Sequence, residues 1–301
     1  MSTEALSEAA SSAYRAALES CALVDLSTRE LLRVTGPDRA SFLHGMVTND
    51  VEGLPVGASN YAALLTAKGA MVADARILKR AEELLLDTGP GRGASLKDFL
   101  LKYLISEEAE VADAPELAVL GLAGPRAEHF AARVPRLGHF ESFLGGLDLL
   151  VERAALPGLL ASLQELPLLD PAAQEVLRVE RGVPLFGVDM TESTIPLEAN
   201  LERALNYTKG CYIGQEVIAR ATYRGQMNKK LVGVELGEAT PEPRAELLKE
   251  GKKVGWVTSV VRSPKLQQRI GLAYVHRDHL LPGTVLELAT GAQAVVHALP
   301  F

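Results

Sequence analysis

The sequence predicts an α+β protein that ends in an all-β domain. Two textures predict it. Helical and strand-like segments alternate irregularly as far as about residue 227, a pattern that disfavours a doubly wound parallel sheet. Beyond that point, short strand-like runs are separated by Gly- and Pro-containing turns, the signature of a small barrel or sandwich. The break near residue 228 divides the chain into a core, residues 1–227, and a C-terminal β-domain, residues 228–301.

The first twenty or so residues, rich in Ala, Glu and Ser, read as a helix. Strand-like Leu31-Leu32-Arg33-Val34 closes on Gly36-Pro37. A helix starts around Pro37, because Pro is favoured in a first turn, with Asp38 and Ser41 beside it. That helix carries Phe42, Leu43 and Met46 toward a core and ends near Thr48-Asn49-Asp50. Residues 61–66 and 71–78 read as two strands joined through Lys68-Gly69. Leu96, Phe99, Leu100, Tyr103 and Leu104 stand at helical spacing. An apolar strand over 117–122 meets Gly124-Pro125, and a helix follows over 126–134.

Asp170-Pro171 opens another helix, with Asp as N-cap and Pro in the first position, and Gly182 stops it after Arg181. Glu180 projects near the apolar stripe of Val176 and Leu177, where a carboxylate is costly unless something donates to it. A ligand could satisfy it; so could a neighbouring side chain, or water. In the C-terminal domain, 231–236, 254–257, 270–275, 284–288 and 294–297 read as strands.

Composition narrows the function classes. At 301 residues, 48% hydrophobic and 23% charged, the chain suits a globular protein of about two domains. A formal net charge of −7 argues against a general nucleic-acid binder. One stretch inverts that balance. Arg203, Lys209, Arg220, Arg224, Lys229 and Lys230 surround a single acid, Glu216, leaving a local +5 that fits an anionic ligand or a solvated basic face. The N-terminus shows no basic-then-apolar leader, and no apolar run approaches the roughly 20 residues of a membrane span, so a cytoplasmic location is expected. Two distant cysteines, Cys21 and Cys211, read as reduced thiols. They cannot supply the four ligands of an ordinary iron–sulfur cluster. His276 and His279 lack partners at metal-site spacing, so no metal site is expected. Gly89-Pro90-Gly91-Arg92-Gly93 lacks the Lys-Ser/Thr of a phosphate-binding loop and reads as a plain loop.

Cys211 is the most specific chemical candidate. Lys209 and Gly210 precede it, and Gly214-Gln215-Glu216 open a helix reaching about Thr222. A thiol near a lysine and just ahead of a helix N-terminus gains thiolate character. A bare cysteine is otherwise a small buried hydrophobe, which is how Cys21 reads.

The segment Lys209-Gly210-Cys211-Tyr212-Ile213-Gly214-Gln215-Glu216, continued by Arg220 and Tyr223-Arg224-Gly225, resembles the KGCYxGQE signature of the YgfZ family. Phe42-Leu43-His44-Gly45 with Thr48-Asn49-Asp50-Val51 is similar to that family's FLQG…TNDV segment, and 68–74 to its KGRM-type hairpin. Arg178 to Pro184 and Ile195 to Leu201 are similar to RxExGxP and PxE segments shared with glycine-cleavage T-proteins. The resemblance covers most of residues 25–300. It implies two α+β subdomains and a C-terminal β-barrel around a tetrahydrofolate pocket. It also implies a part in the assembly or repair of 4Fe–4S proteins, with those clients or assembly proteins as partners. Glu180 matches the glutamate that reads the pterin, a role suited to a carboxylate facing two parallel N–H donors. Asn49, Asp50, Tyr212, Arg220 and Arg224 are its expected companions in folate binding, and the cationic stretch would receive the folate's glutamate tail. Cys211, Lys209 and Asp74 would carry the chemistry. T-proteins have a paired Asp-Asp where this chain has Ala73-Asp74, which weighs against the alternative function, tetrahydrofolate-dependent aminomethyl transfer or demethylation. The lone tryptophan, Trp256, falls in the β-domain.

Overall fold

A computed structural model describes residues 4 to 224 and 227 to 301. In chain order, α1 (Glu8–Glu19) leads into β1 (Ala22–Asp25), β2 (Glu30–Thr35) and α2 (Arg39–Met46). The hairpin β3 (Ser59–Leu65) and β4 (Met71–Lys79) follows, then β5 (Leu84–Thr88), α3 (Gly93–Tyr103) and β6 (Glu110–Asp113). The second unit holds β7 (Leu117–Ala123), α4 (Ala127–Ala131), β8 (Gly138–Glu141), β9 (Gly146–Glu152), α5 (Leu156–Ser162) and α6 (Pro171–Glu180). After α7 (Gln215–Arg224) come β10 (Lys229–Gly237), β11 (Glu246–Lys249), β12 (Lys252–Ser263), β13 (Gln268–His276), β14 (Val285–Leu288) and β15 (Gln293–His297).

These strands form a five-stranded antiparallel sheet, β3-β4-β5-β2-β6, and a four-stranded one, β1-β7-β9-β8. The sheets pack face to face through Leu31, Leu78 and Leu85 on one side and Val119, Phe140 and Leu150 on the other. The outer face of the first sheet buries Leu84 and Leu86 against Phe42 and Leu43 of α2 and Leu96 and Leu100 of α3. Because β5 is buried on both faces, Leu84-Leu85-Leu86 shows no alternation, and no strand was legible there.

The C-terminal strands close into a barrel in the order β10-β13-β12-β11-β14-β15, with β15 pairing back on β10. A barrel fits their lengths because each strand alternates inward and outward residues and closure removes free edges. Val234, Val257, Ala273, Leu286 and Val296 fill its interior. Its outer face packs on α1 and α6 through Leu231, Val261, Ile270 and Leu272. The fold is therefore two α+β subdomains plus a six-stranded barrel, as the resemblance implied. Asp170 caps α6 as expected, accepting from the Ala173 N–H at 2.8 Å, an interaction of about 1 kcal/mol. Asp38 differs. It stands at the N-cap of α2 without a capping bond and accepts instead from the Glu108 N–H at 2.8 Å. Among the described residues, no helix is long and apolar enough to cross a membrane.

Candidate functional site

A cavity of about 510 Å³ opens where the two sheets meet the first turns of α6 and the loop that follows it. Phe143, Phe186, Leu26 and Leu144 supply apolar wall, and Asp74, Asp148 and Glu175 supply carboxylates. Cavities of this size and mixed lining suit small organic ligands.

Its charged groups are mostly committed to one another. Arg178 reaches Glu175 and Asp189, both at 2.6 Å. It also donates to Ser259 Oγ on the barrel at 2.7 Å. Asp189 in turn accepts from Thr258 Oγ1 at 2.5 Å, from Ser259 Oγ at 2.7 Å and from the Leu185 N–H at 3.0 Å. This buried cluster ties the cavity's loop wall to the barrel. Beneath the cavity, Asp87 bridges Arg29 at 2.8 Å and Arg76 at 2.6 Å, and Arg76 pairs with Asp148. The two guanidiniums beside Asp87 hold its carboxyl below the usual range, despite burial. One acceptor is left over. Asp148 Oδ1 is buried without a hydrogen-bond partner among the described residues, a desolvation cost carried beneath this wall.

Asp74 comes to the cavity through strand alternation. On β4, Ala73 turns into the core with Leu43, Met46 and Ile77, and Asp74 turns the other way, into the cavity wall. The Ala73 departure thus removes a buried side chain and leaves the cavity acid in place. Tyr61 Oη donates to Asp74 Oδ2 at 2.7 Å. Burial nonetheless dominates and raises the Asp74 pKa above the ordinary aspartate value, while Tyr61 and Arg29 pull it down. Tyr61→Phe should therefore raise it further, read as a later carboxyl titration by ¹³C NMR; an unchanged or earlier titration would contradict this geometry.

Tyr61 also packs edge-on to Phe143 at 5.0 Å, and the Arg203 guanidinium lies over both rings, at 5.2 and 4.6 Å. Asn49 joins this neighbourhood, lining an adjoining recess of about 230 Å³ with Tyr61, Phe143 and Arg203. Its amide donates to the carbonyls of Tyr61 at 2.8 Å and Arg203 at 3.2 Å. Asp50 points elsewhere, accepting from the Gly53 N–H at 2.9 Å.

The cysteine signature proves to be mainly a docking device. Lys209 Nζ donates to the carbonyls of His44, Val47 and Asn49, satisfying the open C-terminus of α2. Burial lowers the Lys209 pKa to about 8. Tyr212 is buried with Leu65, Met71 and Ile218. Gly214 (φ 84°) presses on the β3–β4 turn, where a Cβ would stand 2.6 Å from the Thr66 carbonyl, so only glycine fits. Cys211 is left exposed, as are Gly210 and Glu216. It does not line the cavity, and the cation expected to activate it spends its donors on backbone carbonyls. Tyr212, likewise, faces core rather than cavity.

The Glu180 expectation is also corrected. Its carboxylate is buried and accepts from Tyr14 Oη at 2.8 and 3.0 Å and from Ser263 Oγ at 2.6 Å. These partners come from α1 and the end of β12, so Glu180 links helix and barrel and does not reach the cavity. Glu175, five residues earlier, stands about 140° around the helix and does reach it. The cationic stretch disperses as well. Lys230 pairs with Glu202 at 3.1 Å, Lys229 lies over Trp256 of the barrel, and Arg220 is exposed on α7. The Arg224 side chain and Gly225 lie outside the described residues. Sequence reading missed Arg29, Tyr61, Phe143, Glu175 and Arg178. Only the Glu175–Arg178 pair left a signal, an acid and a base three apart on a well-capped helix.

Two α+β units around a central cavity, closed by a six-stranded barrel, define the glycine-cleavage T-protein fold. Residues 2–139 match the GCVT N-terminal domain, and residues 229–301 match the glycine cleavage T-protein C-terminal barrel domain. The chain is 31% identical to an aminomethyltransferase of Rubrobacter xylanophilus over 281 residues, covering 84% of this chain and 75% of that one. It is 29% identical to an aminomethyltransferase of Bacillus cytotoxicus over 324 residues, covering 96% and 88%. It is equally identical to a putative chloroplastic transferase of Arabidopsis thaliana over 309 residues, covering 93% and 71%. The crystal structure of the glycine cleavage system aminomethyltransferase T from Bartonella henselae superimposes with a TM-score of 0.85 at 22% identity, covering 97% and 89%. This chain belongs to the T-protein, or aminomethyltransferase, family.

Proposed function

We propose that this protein binds tetrahydrofolate, or another reduced folate, in the Asp74 cavity and supports assembly or repair of 4Fe–4S proteins through Cys211. The observation that carries the folate half is the cavity itself: about 510 Å³, apolar side walls, and the Asp74 carboxyl in its wall, with Asp148 and Glu175 already paired to Arg76 and Arg178. A pterin presents a row of N–H donors, and carboxylates are their strongest acceptors. The thiol half is supported by the exposed position of Cys211 on a loop braced by Lys209, Tyr212 and Gly214. In this reading folate and thiol serve separate surfaces, and the Cys211 face is where a 4Fe–4S client or assembly protein meets the chain.

Calorimetry with tetrahydrofolate tests the first half; a folded protein giving no heat with any reduced folate rejects it. Cys211→Ser tests the second. Its folate affinity should stay within about twofold, because the thiol is outside the cavity, while 4Fe–4S enzyme activities fall in cells under oxidative stress. Full activity in that strain removes the thiol role.

A second reading, tetrahydrofolate-dependent aminomethyl transfer or demethylation, is favoured by one observation. Asp74 faces the cavity with a raised pKa, and such a carboxyl can pass a proton to or from a bound folate. Methylenetetrahydrofolate formed from an aminomethyl donor would establish this activity.

A further inference from the structure

The loop 89–93, which joins β5 to α3, carries three glycines in five residues and has no part in the function above. Yet Gly89, Pro90 and Arg92 line the Asp74 cavity. The loop does not serve as an anion site. Glu30 already accepts from the Gly93 N–H at the start of α3, so the positive end of that helix is matched.

The loop's backbone is loosely held. Gly91 is left-handed (φ 69°), and a Cβ added to it would meet nothing within 4 Å. Within the turn, the Arg92 N–H reaches the Gly89 carbonyl at 3.2 Å. What crosses to the rest of the rim is the Arg92 side chain. Its guanidinium lies over the Phe186 ring at 4.8 Å, and a Cβ added to Gly187 (φ 92°) would collide with its Nη2. Arg92 has no ion pair and no side-chain hydrogen bond among the described residues, so stacking is its main tie.

The segment it rests on is braced. Asp189 pins that segment to Arg178 and to the barrel. The Gly187 N–H donates to the Met190 carbonyl at 2.7 Å, and the Val188 N–H donates to the Leu185 carbonyl at 3.1 Å. Pro90, Gly91, Leu185 and Gly187 are exposed, whereas Asp148 and Arg178 are buried, so both segments stand at the cavity's solvent rim. A pliant loop and a braced turn are thus joined across the rim by one cation–π contact. Such a contact at a partly exposed site shifts a closed-to-open ratio about two- to fivefold.

We infer that the loop 89–93 is the gate of the Asp74 cavity and that Arg92, seated on Phe186, is its latch. Opening swings the loop on its glycines while the turn 185–190 stays in place, and a ligand enters or leaves through the gap. That a reduced folate is what passes rests on the reading above. Because the latch joins protein to protein, breaking it opens the empty and the loaded cavity alike, and this separates a gate from a ligand contact.

The test is Arg92→Ala, read in two ways. Without ligand, ¹⁵N order parameters at Gly89 and Gly91 should fall from the rigid range, about 0.85, toward about 0.6. In stopped flow, the association and dissociation rates of tetrahydrofolate should both rise about two- to fivefold, with the affinity kept within about twofold. Faster dissociation at an unchanged association rate would make Arg92 a ligand contact, and slower association would make it a steering charge. Either result overturns the gate, and so do two unchanged rates. Order parameters that do not move overturn the latch, whatever binds. Lowered order parameters in a protein that gives no signal with any reduced folate reject the folate reading and leave the latch in place.

Discussion

Glu180→Ala should unfold the protein several degrees earlier while leaving reduced-folate affinity within about twofold. The carboxylate sits between Tyr14 and Ser263, whose hydroxyls donate to it in a region sealed by α1, α6 and β12. Truncation strands two buried hydroxyl donors, each costing on the order of 1–3 kcal/mol, and leaves a void. A loss of about 3 kcal/mol corresponds to roughly 6–12 °C in a chain of this size. Burial and the hydrogen bond to Glu180 push the Tyr14 hydroxyl far above its usual pKa, so the tyrosine stays a donor across the accessible pH range. Glu180→Gln, which keeps acceptor capacity, should cost less than the alanine variant. The decisive comparison is thermal denaturation beside calorimetry on the same preparations. A stable Glu180→Ala protein that has lost folate binding would restore the pterin-reading role and contradict the geometry described above.

Asp74→Asn should act in the opposite sense on stability and more severely on function. Burial raises the Asp74 pKa in the folded chain. Between the ordinary aspartate value and the raised one, the folded protein holds more protons than the unfolded one, so stability falls as pH climbs through that window. Above the raised value the cost is fully present; well below the ordinary aspartate value it is absent. Asparagine removes the buried charge and can still accept from Tyr61, so its unfolding midpoint should rise at pH 7 and match the wild type near pH 3. If the protein catalyses aminomethyl transfer, the same change should lower turnover about 100-fold or more, the usual scale of a lost acid–base group. A variant that is destabilised at pH 7 would show that the buried Asp74 charge carries no cost, and one that turns over normally would show that Asp74 is not catalytic. Stabilisation with loss of activity is the pattern expected where a site keeps a costly group for its chemistry.

Much of the fold could be read without coordinates because its signals are local. Asp170-Pro171 announces α6 through cap chemistry confined to one turn. Lys68-Gly69 marks the β3–β4 hairpin, and the spacing of short strands marks the barrel. The signature around Cys211 is local too, and the wider resemblance to glycine-cleavage T-proteins is the part that the family matches support. What the signature did not disclose is that most of its members serve packing. Lys209 caps α2, more than 160 positions earlier in the chain, and Gly214 makes room for the Thr66 carbonyl.

The sequence by itself determined the α+β class, the C-terminal β-domain and the residue types available to line a cavity. Tertiary structure decided which of them meet. Helix periodicity says that Glu175 and Glu180 face different sides of α6, and strand alternation says the same of Ala73 and Asp74. Neither periodicity says which side is a cavity. That depends on contacts such as Tyr14 to Glu180, 166 residues apart, and on where two sheets and a barrel leave space between them.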